Sequence, residues 1–74
     1  MNLFTLWTVY DHPDDWPGHY VARRQEVHPG GRLVMTDDIV TADTLNGVRA
    51  KLPPGLHRMV RQPGDAPSIV ETWI

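Results

Sequence analysis

Cysteine is absent from this 74-residue chain, which excludes a disulfide framework or a thiolate zinc site as the source of its stability. Serine occurs once, as Ser68 in a Pro-Ser-Ile junction without a Gly-x-Ser-x-Gly elbow, so nucleophilic catalysis has almost no support. Basic residues are too few for a nucleic-acid-binding composition: seven Lys and Arg stand against nine Asp and Glu, a formal net charge of -2, whereas bulk affinity for nucleic acid or anionic lipid normally needs a basic domain. No stretch approaches the ~20 apolar residues of a membrane span, and the start from Met1 to Trp7 lacks the basic region and long apolar run of a signal peptide. The expected compartment is the cytoplasm, with no membrane partner. His28-Pro29-Gly30-Gly31-Arg32 has neither P-loop nor dinucleotide-fingerprint spacing, and no cofactor is expected.

What is present is an ordinary globular mixture, 41% hydrophobic and 22% charged, which should fold. Its length allows one domain, residues 1–74. A domain this small buries a modest share of its surface, so either its core is efficient or the chain oligomerises. Proline and glycine mark turns at 11–18, 28–31, 53–55 and 63–67, because proline presets φ and glycine accepts positive φ. Between them, Leu3–Tyr10, His19–Val27, Arg32–Thr36, Leu56–Gln62 and Ser68–Ile74 carry the β-branched and aromatic residues of strands.

Thr41–Leu52 admits two readings. Asn46-Gly47 followed by alternating apolar and charged residues suits a hairpin. The helix has better support: Thr41 or Asp43 can cap it, Leu45, Val48 and Leu52 form one stripe, Arg49 and Lys51 lie in its last turn, and Pro53-Pro54 stops it. The expected fold is α+β, a small mostly antiparallel sheet of four or five strands in βββαββ order with one helix packed on one face.

A single helix covers a single face. Yet the first strand carries Leu3, Trp7 and Val9 on one side and Phe4, Leu6 and Tyr10 on the other, and the last splits Ile69 and Trp73 from Val70 and Ile74. A half-solvated sheet should instead alternate apolar with polar. Something covers the second face, and the first candidate is another subunit. Phe4, Trp7, Tyr10 and Trp73 are the expected contact residues, since aromatics dominate interface cores. The leading functional reading is thus a small non-catalytic interaction module whose partner is a second copy or another protein.

Leu6-Trp7-Thr8-Val9-Tyr10-Asp11-His12-Pro13, the Asp15-Trp16-Pro17-Gly18 turn into Tyr20-Val21-Ala22-Arg23, and the closing Ile69-Val70-Glu71-Thr72-Trp73-Ile74 resemble a family of small uncharacterised bacterial proteins over nearly the whole chain. The resemblance implies a compact α+β domain with a helix near Thr41–Leu52, and it brings no activity or site residue with it.

Two other readings concern local charge. No acid occurs between Thr44 and Gly64, while Arg49, Lys51, Arg58 and Arg61 do, and Arg23 and Arg24 lie in the second strand; together they offer a weak phosphate or nucleic-acid site. The plainer account is solvated arginine, with Glu26 or Glu71 as the structural partner of whichever of the adjacent Arg23 and Arg24 lies under the helix. In the Tyr10–Tyr20 loop, Asp11, His12, Asp14, Asp15 and His19 supply metal-ligand chemistry for a hydrolase. Their spacing matches no metal motif, and aspartates bonding their own backbone in a turn explain them as well.

Overall fold

A computed structural model describes residues 4–74; Leu3, expected in the first strand, lies outside them. Five strands and one helix follow the chain as β1 (Phe4–Asp11), β2 (Tyr20–His28), β3 (Arg32–Ala42), α1 (Leu45–Ala50), β4 (Arg58–Val60) and β5 (Ile69–Trp73). The strands form one antiparallel sheet in the order β3-β2-β1-β5-β4. The first strand is therefore central. The β2–β3 hairpin turns through Gly30 and Gly31 at φ of 86° and 81°, backbone geometry that any side chain would strain.

The third strand runs beyond its expected end at Thr36. Its pairing with β2 shifts register between Arg23 and Gln25, so Thr36, Asp37 and Asp38 bulge opposite Arg24. Side chains fix the bulge. The Thr36 hydroxyl donates to the Arg24 carbonyl at 2.8 Å, and Arg24 Nε donates to Asp38 Oδ2 at 2.6 Å. Pairing then resumes through Ala42. The lengthened strand takes residues 41 and 42 from the expected helix, whose cap becomes Thr44 in place of Thr41 or Asp43, its hydroxyl accepting from Gly47 N at 2.9 Å.

Paired residues share a face of the sheet and successive residues alternate, so the register defines a Trp7 face and a Phe4 face. Val9, Ala22 and Val48 are fully buried and cluster with Trp7, while Leu45, Leu52, Leu56, Val70 and Trp73 pack around them. Asn46-Gly47 lies inside the helix, not in a hairpin turn. A second register shift, between Val9 and Tyr10, leaves Val70 as an extra residue beside Glu71.

Gly47 has a steric reason to be there. A Cβ at this position meets Ala42 Cβ and Thr44 Oγ1, each at 3.0 Å. Gly→Ala inside a helix ordinarily gains about 1 kcal/mol, but here the new methyl presses on the capping hydroxyl. Gly47→Ala is expected to leave the melting temperature unchanged or lower, and Thr44→Ala to cost about 1 kcal/mol; thermal unfolding followed by circular dichroism checks both.

Candidate functional site

Register arranges the Phe4 face in cross-strand rows. The first is Phe4, Val27 and Leu33; the second is Leu6, Gln25 and Met35; the third joins Thr8, Arg23 and Ile39 to Thr72 and Met59. Ile74 continues the second row, its backbone exchanging hydrogen bonds with His57. The middle of this face is closed. Thr8, Val21 and Gln25 are buried, the Thr8 hydroxyl donating to Gln25 Oε1 at 2.8 Å and the Gln25 amide to the Met35 sulfur at 3.2 Å.

Towards the edges the same face is open and apolar. Phe4 is 50% exposed, Leu33 54%, Met35 51%, Ile39 40% and Met59 45%. Beside β1, β5 and β4 lies a groove of ≈ 310 Å³ lined by Phe4, Leu6, Met59, Val60, Thr72 and Ile74, with the polar Gln62 and Asp65 completing the lining. Arg23 is the one cation in these rows, and it is engaged: it contacts Asp15 of the β1–β2 loop and lies 5.8 Å from the centroid of the Tyr10 ring.

Of the four aromatics expected at an interface, Phe4 is exposed and Tyr10 half-buried on this face. Trp7 and Trp73 point the other way, Trp7 within the core and Trp73 packed against it. Leu33, Met35, Ile39 and Met59 were not among the expected residues. Their sequence signal is the alternation Leu33-x-Met35, which acquires meaning only once β3 is paired with β2.

The basic residues do not form one patch. Arg23 lies on the Phe4 face and Arg24 on the Trp7 face, where it bonds Asp38 and Glu26. His28 and then Arg24 hold the Glu26 carboxyl below its ordinary range. Arg49 grips Glu71 with two bonds, Nε to Oε2 at 2.9 Å and Nη2 to Oε1 at 2.6 Å, and Arg58 Nη1 stands 3.8 Å from the same carboxylate. Lys51 donates to the Thr41 carbonyl and Arg61 to that of Asp65. A phosphate would have to compete with four carboxylates already bound.

In the acidic loop, Asp11 contacts the His12 ring, which meets Tyr20 edge-on at 5.0 Å between centroids, and His19 Nδ1 stands 3.3 Å from Asp43. Asp15 is turned to Arg23 and Asp14 is exposed. Among the described residues no three His, Asp or Glu side chains converge on a metal position. No described helix is long and apolar enough to cross a membrane. Comparison with known proteins finds no matching family model, curated protein or solved structure.

Proposed function

We propose that this protein is a small non-catalytic interaction module that acts as a homodimer, the helix covering the Trp7 face and a second copy covering the Phe4 face. The observation that carries the reading is the set of five half-exposed apolar side chains on one face. At roughly 200 Å² for a fully exposed large side chain, they present about 450–500 Å² of apolar surface. A standard interface buries ~800 Å² per partner, of which ~56–65% is apolar, or about 450–520 Å². The two quantities agree. Among the described residues of these rows the one arginine, Arg23, is already paired with Asp15, so its burial leaves that charge compensated. Burial of Val48, with Leu45 and Leu52 packed beside it, supports the helix as the cover of the opposite side.

Light scattering of the full chain at high concentration is expected to give twice the 8.4 kDa chain mass, with a melting temperature that rises with concentration. Met35→Glu, which sets a carboxylate among apolar contacts, is expected to give the single-chain mass with an unchanged far-ultraviolet spectrum. A wild-type monomer whose melting temperature ignores dilution would overturn the proposal.

A further inference from the structure

We infer that the two copies meet about a two-fold axis running along β1, so that Leu33 and Met35 of each copy seat in the apolar groove of the other. The inference rests on the homodimer reading above and specifies its geometry. Three observations carry it. The central strand of the sheet is β1, with β3 at one edge and β4 at the other. The projecting apolar residues Leu33 and Met35 lie on the β3 edge, and the groove lies beside the β4 edge of the same face. On its β1 and β5 side the groove reaches the levels of both knobs, since Phe4 is in the row of Leu33, and Leu6 and Ile74 are in the row of Met35, and Met59 and Thr72 continue it into the third row.

Two sheets stacked face to face admit two simple two-fold arrangements. An axis across the strands sets each strand over its own copy. Where that axis passes between their rows, Leu33 meets the partner's Met35, while two grooves of ≈ 310 Å³ each face one another unfilled, contrary to the close packing of protein interiors. An axis along β1 exchanges the edges and keeps the levels, so β3 lies over the partner's β4 and each groove receives a knob. The same contact forms twice, which closes the dimer.

The chain has no cysteine, so introduced thiols report without background. Met35→Cys and Met59→Cys chains carrying different mass tags are mixed, re-equilibrated and treated with a short bismaleimide. Cross-linked product joining the two tags is expected in the mixture and absent from Met35→Cys alone. Leu33→Cys in place of Met35→Cys repeats the test with a second knob, and circular dichroism verifies that each variant is folded. Cross-linking of Met35→Cys to itself, or a dimeric mass with no cross-link in the mixture, overturns the axis and leaves the homodimer standing. A single-chain mass by light scattering in the untreated wild type removes both.

Discussion

Glu71→Ala is expected to lower the stability of the fold by about 2–3 kcal/mol, the cost of losing hydrogen bonds to a buried charge, since the Arg49 left behind is 32% exposed and can be hydrated. Glu71 is 1% exposed, and its carboxylate accepts from Arg49 twice and from the Trp73 indole at 2.6 Å. Removing it strands an arginine guanidinium and an indole N–H in a site built around a charge. The pair also ties the helix to β5, so the loss spreads beyond one side chain. Replacing both partners with apolar residues, Arg49→Met with Glu71→Leu, is expected to recover part of the loss, because the unpaired charge is gone while the indole still lacks its acceptor. Dependence on pH follows from the same contacts. Arg49 first, and the Trp73 hydrogen bond, hold the Glu71 carboxyl below its ordinary range although burial pushes it up. A depressed carboxyl contributes stability that is complete above its unfolded value, ~4.3 for glutamate, and that is lost as the pH falls through the folded value. Urea midpoints should be level from neutrality to about pH 5 and fall below about pH 4, with Glu71→Gln flattening the fall. A wild-type midpoint indifferent to acid would contradict this account.

Trp7→Ala is expected to cost about 3–5 kcal/mol, as large-to-small changes of a core tryptophan do. That lowers the melting temperature by at least ~12 °C in a domain of this size. Trp7 is 9% exposed and clusters with Val9, Ala22 and Val48; alanine leaves a cavity in that cluster. The loss belongs to the single chain and should be the same in dilute and concentrated samples. Phe4→Ala is expected to behave in the opposite way. Half of that ring is already in solvent, so dilute stability changes little while association weakens. Urea unfolding at two protein concentrations separates the cases, and a Trp7→Ala chain that dissociates with its monomer stability intact would return Trp7 to the interface.

Strand positions were largely legible because proline and glycine bracket them, and the helix because Leu45, Val48 and Leu52 keep one stripe ahead of Pro53-Pro54. Where the sequence reading erred, a non-local contact decided. Asp37-Asp38 resembles the end of a strand, yet Arg24 and Thr36 hold the pair in a bulge and the strand continues. That continuation moved the helix cap to Thr44. The aromatics on both sides of the first strand raise the question of what covers the second face, but aromatic identity was a poor guide to exposure. Trp7 and Trp73 are neighbours across β1 and β5 on the side of the core cluster, whereas the opposite face exposes Leu33, Met35, Ile39 and Met59. Which residues share a face depends on register, and register depends on two shifts that no local pattern announces. The bond between Arg24 and Glu26 was one of the pairings expected for an arginine under the helix; the grip of Arg49 on Glu71 was not expected, because Arg49 reads locally as a solvated residue of the last helical turn.

The bulge in β3 also governs how far assembly can proceed. A strand at the border of a sheet offers unpaired amides and carbonyls to any passing chain, and a long apolar one invites open-ended growth. Here that border carries two exposed carboxylates, Asp37 and Asp38, midway along its length, where the shifted register breaks the ladder. A second β3 laid alongside it antiparallel would oppose like charges and find no continuous row of partners. Growth from this rim is thereby blocked, and the opposite rim is β4, only three residues long, which offers little ladder for another chain to extend.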